Sequence, residues 1–398
     1  TLSSSSAASD VYKRQAPELV LHSLKLLPPG STVLDPMAGS GTVLRQALAM
    51  GHHAIGFDMD PLAVLMSRVW TTPVQDGVIE SEFSLLMKIA RSIDLRRHKL
   101  PWQQDAETQK FISYWFGETQ RKDLTRLAVA LLHRREATHL SAQQLAAINV
   151  LSVAFSRIIV TKEQSASLAR DTSHSRPHRV TTNSDYDVFE GFERSVSQTR
   201  KRLVDAPAPS LAKVERGDAR KLCLVEDSID AVVTSPPYLN AIDYLRGHRM
   251  SLVWLGHSIP ELRDIRSSAI GAERSPDQSS NIEINRVEHS MCDFGSLESR
   301  FRGMIQRYAQ DLCKMTAQVA RVLKPGGHAT YVVGNSCLRG VFIRNSDGVI
   351  KAAELAGMKL IALNERELPS SSRYLPVTIV GSLSKRMRTE SVITFQRQ

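Results

Sequence analysis

Two stretches far apart in the chain carry residue types that could do chemistry. In Asp35-Pro36-Met37-Ala38-Gly39-Ser40-Gly41-Thr42 an acid ends an apolar run, and two glycines follow it. Glycines let backbone approach a ligand closely. A phosphate-binding loop would need GxxxxGK(S/T), but Gly41 is followed by Thr42 and no lysine is near. A dinucleotide loop prefers GxGxxG, and its third position is Leu44 here. Asp35, ahead of the glycines, is poorly placed for pyrophosphate and well placed for a cationic ligand such as S-adenosylmethionine (AdoMet). Asp58 ends the next apolar run, where an acid can accept hydrogen bonds from both hydroxyls of a ribose. Asp60 competes for that role, and both acids could instead be a helix cap and a turn residue. The second stretch is Ser235-Pro236-Pro237-Tyr238, behind the run Asp230 to Thr234. No strand continues through two prolines, which lack the N–H and have a fixed φ. The result is a stiff turn with an aromatic ring at the tip of a buried strand. Open α/β folds bind ligands beyond such strand ends.

The flanking segments read as the frame that holds these stretches. "APELVLHSLKLL" has helical spacing and is broken by "PPGS". "TVLDPMAGSGT" then reads as a strand entering a Gly-rich turn, "TVLRQALAM" as a helix with Gly51 at its C-terminal cap, and "HAIGFDMDP" as a second strand. This opens an α/β, doubly wound, mostly parallel sheet. Amphipathic segments follow, and Ser141 and Gln144 stand at capping-box spacing. We read residues 78–210 as a mainly helical insertion that ends at the hinge "APAPS". The sheet is expected to occupy 16–77 and 211–398. In the second part "SIDAVVTS" is a strand, "FRGMIQRYAQDLCKMTAQVARVL" a helix closed by Lys324-Pro325-Gly326-Gly327, and "HATYVVGNS" a strand. "GVIKAAELAGM" is a helix, with "KLIALNERE" and "ESVITFQ" as final strands. Residues 257–300 are polar and Ser-rich and read as a long loop. Asp10–Gln15 resembles the translation of a transposase adapter, so residues 1–15 read as an assembly scar, with a disordered native tail as the alternative; a scar would mean that native residues before Ala16 are missing.

Composition narrows the partners. The net charge of +10 and pI near 9.5 suggest a polyanion, most simply nucleic acid. Arg170, Arg176 and Arg179, in the loop-like "SLARDTSHSRPHRV", could grip phosphates. Arg263 and Arg266, in "LRDIRSSAIGAER", mark a second basic segment that could recognise a target, and "RELPSSSRYLP" could close over a site. His174 and His178 have a proline between them and no acid or cysteine partner, so no metal is expected. Cys223, Cys292, Cys313 and Cys337 show no CxxC spacing, which suits a reducing cytoplasm and gives no zinc site. No apolar run approaches the roughly 18 residues of a membrane helix, and "TLSSSSAASD" has no signal-peptide core.

Together, "DPMAGSGT" and "TSPPY" resemble the amino-group DNA methyltransferases, in which AdoMet methylates the exocyclic amine of cytosine or adenine. The similarity covers Ala16–Val74 and Lys213–Ser336 and is weak over the insertion. It implies a class I AdoMet-dependent methyltransferase fold, of which "LKPGG" before a strand is also typical. Asp35, Pro36, Ala38, Gly39, Ser40, Gly41 and Thr42 would form the AdoMet loop, with Asp58 on the ribose. "GDARKL" resembles the intervening motif, which implies that Asp218 faces the adenine amine. The amine to be methylated is a poor nucleophile, because its lone pair is delocalised into the base. Acceptors aimed at its N–H groups favour pyramidal nitrogen and take up developing positive charge. The resemblance gives that role to the Ser235 side chain and the Pro236 carbonyl, stiffened by Pro237, with Tyr238 as a stacking face for a flipped base. No cysteine lies in the turn, which argues against methylation of a ring carbon. Serine before the prolines leans toward cytosine N4 in DNA. Adenine N6, guanine N2 in structured RNA and a non-catalytic nucleic-acid binder remain rivals, and a restriction nuclease is an implied partner. Two departures stand out. The usual segment upstream of the first helix is absent or replaced, and neither the insertion nor 257–300 matches a recognition domain.

Overall fold

The structure is a computed structural model that describes residues 23–170, 177–203, 212–239, 243–272, 281–293, 297–367 and 389–398. Most of the helix expected over 16–27, all of 1–15 and most of 366–376 lie outside these residues.

Along the chain come β1 (Thr32–Asp35), α1 (Thr42–Ala49), β2 (His53–Asp58), α2 (Pro61–Thr71), α3 (Asp76–Ser92) and α4 (Ala106–Trp115). Then follow α5 (Glu118–Glu136), α6 (Ala142–Ser156), the short strands β3 (Ala169–Arg170) and β4 (His178–Arg179), and α7 (Val188–Leu203). Next are β5 (Ala212–Arg216), β6 (Ile229–Thr234), α8 (Tyr244–Leu252), α9 (Ile259–Ser268), α10 (Ile282–Met291) and α11 (Ser299–Val322). The chain continues through β7 (Leu323–Gly334), β8 (Ser336–Leu338), β9 (Val341–Ile343), α12 (Asn345–Leu355), β10 (Met358–Glu367) and β11 (Thr389–Arg397). Among the described residues no helix is long and apolar enough to cross a membrane.

These elements form two compact units, and the unit that holds both sheet motifs takes in residues 9–59, 210–242 and 267–398. Its seven strands run in the order β10-β11-β7-β6-β1-β2-β5. β5, β2, β1, β6 and β7 pair in parallel, and β11 is antiparallel to both β7 and β10. The strand order reverses direction between β1 and β6, which is the topological switch point of an open α/β sheet. Apolar side chains cover the sheet because its helices present matching stripes. On α11, Ile305, Tyr308, Leu312, Met315 and Val319 recur at helical spacing, and all are fully buried. They pack in one cluster with Leu34, Val232, Tyr331 and Phe395 of the strands. Gly56 allows α1 and the Gly-rich loop to lie close on β2. A Cβ there would stand 2.4 Å from Leu44 Cδ1 and 3.2 Å from Ala38 Cβ.

The other unit gathers residues 60–209 and 243–266. At its centre α6 is buried on nearly all sides from Ala146 to Phe155. The Ser141–Gln144 capping box is present. Ser141 Oγ accepts from Gln144 N at 3.2 Å, and Gln144 Oε1 accepts from Ser141 N at 3.0 Å. Glu82 of α3 and Arg134 of α5 form a buried ion pair at 2.9 Å, and Gln144 donates to the same carboxylate. Trp254, just past α8, is enclosed edge-on by Trp102 and Phe116. Asp60 caps α2 by accepting from Leu62 N at 2.8 Å, and its other oxygen pairs with His248 Nδ1 at 2.5 Å. Burial works against ionisation of Asp60, but the His248 partner outweighs it and holds the carboxyl below its ordinary range. The cap role weighed for Asp60 is therefore the one observed.

Two expectations need correction. The segment 257–300 is not a long loop: among its described residues it carries α9, α10 and the first two residues of α11. Ile259, Leu262 and Ile265 on α9, and Ile284, Val287 and Met291 on α10, form short apolar stripes that are buried. Asn281 caps α10 by accepting from Glu283 N at 3.1 Å. Secondly, Lys324 to Gly327 do not merely close a helix, because β7 already begins at Leu323.

Candidate active site

The carboxyl ends of β1 and β6 meet at the switch point. There Thr234 Oγ1 donates to Asp35 Oδ1 at 2.7 Å, so the last residues of the two strands are bonded to each other. The Gly-rich loop leaves β1 at Asp35 and the Ser-Pro-Pro-Tyr turn leaves β6 at Thr234. Two motifs separated widely in sequence thus start from one hydrogen bond.

Pro36 and Ala38 are buried under the loop, Ser40 is exposed, and Thr42 is the first residue of α1. Gly39 and Gly41 adopt positive φ, 53° and 83°. Only glycine takes this region without strain. A Cβ at Gly39 would meet nothing within 4 Å, so the loop borders open space. Gly39 N donates to Asp58 Oδ2 at 2.8 Å, which ties the loop to the end of β2. Asp218, just beyond β5, completes a row of three acids at successive strand ends.

Asp35 is only 3% exposed. Burial raises its pKa to about 7, the negative charge of Asp58 adds to this, and hydrogen bonds from Thr234 and Met37 N oppose it. An acid whose folded pKa exceeds its unfolded value favours folding most when protonated. That contribution is full below about pH 4 and is lost as pH rises through about 7. A cationic ligand reverses the preference by stabilising the carboxylate.

These features fit AdoMet. Asp35 suits its cationic groups, the αL glycines leave room for close approach, and Asp58 is an acid at the position suited to a ribose. The first amides of α1 carry partial positive charge suited to a carboxylate. The fit has a measurable consequence. AdoMet affinity is expected to weaken about tenfold per pH unit below about pH 7 and to level off above it, as Asp35 must lose its proton. Calorimetry between pH 5.5 and 8.5 reads this, and Asp35→Asn should flatten the profile. A flat wild-type profile would exclude proton linkage at Asp35.

Beyond β6, Ser235 is exposed, Pro236 buried, Pro237 exposed and Tyr238 half-buried. Ser235 Oγ donates to Val332 O of β7 at 3.0 Å. Its proton is thereby directed away, and the oxygen keeps its lone pairs for another donor. Tyr238 Oη donates to Glu390 Oε1 at 3.3 Å, and Arg366 pairs with Glu390 Oε2 at 2.8 Å. The ring is therefore tethered to β11.

Sequence reasoning missed the partners of Asp218. Arg220 Nε and Nη2 donate to its two oxygens at 2.9 and 2.7 Å. Arg220 Nη1 reaches Asp311 Oδ1 of α11 at 2.6 Å, and the guanidinium also donates to Ser268 O. Burial opposes ionisation of Asp218, but Arg220 prevails and its carboxyl stays below the ordinary range. The adjacent arginine in "GDAR" was a visible signal, whereas Asp311 offered none.

The basic residues are placed as follows. Arg170 and Arg179 lie on β3 and β4, and Arg179 stacks 5.0 Å over the ring of Tyr114, which is 51% exposed. Arg176 and His174 lie outside the described residues. Arg263 and Arg266 are on the helix α9 rather than a loop, paired with Glu107 and Asp243.

The strand order, with antiparallel β11 between β7 and β10, and the acids at the ends of β1, β2 and β5 are those of the class I AdoMet-dependent methyltransferase fold. A family model for N6/N4 methyltransferases, described as DNA methylase, matches residues 3–67, a span that includes residues 3–15 of the segment set aside above. The Type II methyltransferase M.MvaI of Kocuria varians is 22% identical over 95% of this chain and 87% of its own length. The Type II methyltransferase M.BsoBI of Geobacillus stearothermophilus is 20% identical over 87% of this chain and 77% of its own. A SAM-dependent methyltransferase structure from Methanosarcina mazei covers 95% of this chain and 96% of itself at 10% identity, with a TM-score of 0.33. These matches support an AdoMet-dependent DNA methyltransferase of the N6/N4 type.

Proposed function

We infer that the chain methylates the exocyclic N4 of cytosine at a defined DNA sequence, as the modification partner of a restriction nuclease. The observation that carries this is the Ser235 hydroxyl, whose proton goes to Val332 O and whose oxygen is left as an acceptor at the tip of β6. Together with the Pro236 carbonyl it can accept the N–H groups of an amine as the nitrogen becomes pyramidal. Bound AdoMet supplies an activated methyl on sulfonium, so the chain's own task is to position the base and stabilise developing charge. The Tyr238 ring, held by Glu390, is the face on which a flipped base stacks. Arg170 and Arg179, with exposed Tyr114 beside them, supply phosphate contacts in this reading. The Type II naming of M.MvaI and M.BsoBI supports the restriction–modification setting.

Labelled AdoMet offered with plasmid DNA or structured RNA, followed by digestion to nucleosides, tests the reading. N4-methylcytosine in DNA is the expected product. N6-methyladenine would replace cytosine by adenine as the target, and N2-methylguanine in RNA would overturn the DNA assignment. Loss of cleavage by a nuclease of the same recognition sequence would identify the partner.

A further inference from the structure

Acceptors in the 235–238 turn are useful only if the turn is held, and its two prolines have no N–H with which to hold it. Three other elements are bonded to it. Ser235 Oγ is anchored on β7 and Tyr238 Oη on β11, as described above. The third bond comes from α11, where Tyr308 Oη donates to Pro237 O at 2.9 Å. Tyr308 is fully buried within the core-facing stripe of that helix. A hydroxyl carried into an apolar core is unfavourable unless it is bonded, and here the bond falls on the turn. Burial, with a contribution from the charge of Asp311, holds the phenol above its ordinary pKa, so it remains a donor at any working pH. Gly271, at φ 76°, brings backbone over the same ring. A Cβ there would stand 3.7 Å from the Tyr308 ring and 3.9 Å from Tyr238 O.

The geometry of the turn says what this bond does. The φ angles of Pro236 and Pro237 are fixed by their rings. The orientation of the Pro237 carbonyl is then a principal freedom left to the turn, and Tyr308 fixes it. Three residues on, Asp311 reaches Arg220, which holds Asp218. α11 therefore reaches the turn after β6 directly and the acid after β5 through Arg220.

We propose that Tyr308 is a positioning residue for methyl transfer, donating to the Pro237 carbonyl and so fixing the turn whose acceptors meet the amine. The inference rests on the reading of that turn given above. Single-turnover methyl transfer at saturating AdoMet and DNA tests it with Tyr308→Phe, which keeps the ring and removes the hydroxyl. Tyr331→Phe is the matched control. Tyr331 is equally buried, and its hydroxyl has no hydrogen-bond partner among the described residues.

Tyr308→Phe is expected to slow transfer at least about tenfold, with AdoMet and DNA affinities within about twofold of wild type. Tyr331→Phe is expected to keep the wild-type rate. Tyr308→p-aminophenylalanine restores an N–H donor and should recover part of the loss, which a merely structural role would not produce. A wild-type rate in Tyr308→Phe overturns the proposal, as does equal slowing in Tyr331→Phe or failure of the amino variant to recover. Ser235→Ala in the same series separates the two levels. If Ser235→Ala is slow and Tyr308→Phe is not, Tyr308 alone loses its role. If Ser235→Ala also runs at the wild-type rate, the reading of the turn itself fails.

Discussion

Ser235→Ala is expected to slow methyl transfer by about 10²–10³-fold, the usual loss when one preorganised group facing developing charge is removed. The effect should fall on the single-turnover rate and leave AdoMet affinity within about twofold, because the amine needs its acceptors only as charge develops. A structural cost also exists, since the hydroxyl bonds Val332 O at 3.0 Å. Losing one such bond at an exposed residue costs about 1 kcal/mol of stability, too little to mimic the expected loss of rate. Ser235→Asp keeps acceptor oxygens and should retain more activity than alanine. A rate for Ser235→Ala within threefold of wild type would remove this side chain from the chemistry.

Arg220→Met is expected to destabilise the protein by about 3–5 kcal/mol, the range seen when one member of a buried ion pair is removed. Asp311 is 1% exposed and accepts from Arg220 at 2.6 Å, while Asp218 is gripped through both oxygens. Methionine leaves the two carboxylates without that cation. The sign with pH follows from Asp218, whose folded pKa lies below its unfolded value. The stability it contributes is present above about pH 4 and is lost as pH falls through the folded pKa. Urea denaturation should therefore show the largest gap between wild type and variant near neutral pH, narrowing in acid. A gap that is constant from pH 3 to pH 7 would mean that the guanidinium acts by packing and not by charge.

Much of the site was legible because its residues are forced by backbone geometry. Gly39 and Gly41 occupy positive φ, and two prolines end β6, so both motifs announce themselves in one dimension. Asp60 before Pro61 is likewise a local capping signal, yet its spacing from Asp58 left its role open until the cap itself was seen. The helices α9 and α10 were lost for another reason. Each has an apolar stripe of three residues in a polar, Ser-rich setting, and ten-residue helices of that kind gain their stability from packing more than from propensity. Arg220 with Asp311 and Tyr308 with Pro237 were beyond reach because the partners are 91 and 71 residues apart and join only when α11 lies on the sheet.

The place of β11 has a consequence for when the enzyme becomes competent. β11 is the last of the described strands, yet it lies inside the sheet, paired to β7 on one side and β10 on the other. It also delivers Glu390, the acid that tethers Tyr238. A nascent chain emerging from the ribosome can build β1, β2, β5, β6 and β7, with the Gly-rich loop, long before residue 389 is translated. On such a chain the Tyr238 hydroxyl lacks its bond to Glu390, and β10 has no neighbour joining it to β7. The Gly-rich loop and the Glu390 tether of Tyr238 thus come from opposite ends of synthesis. Closing β11 into the gap between β7 and β10 is the event that completes both the sheet and the bond to Tyr238.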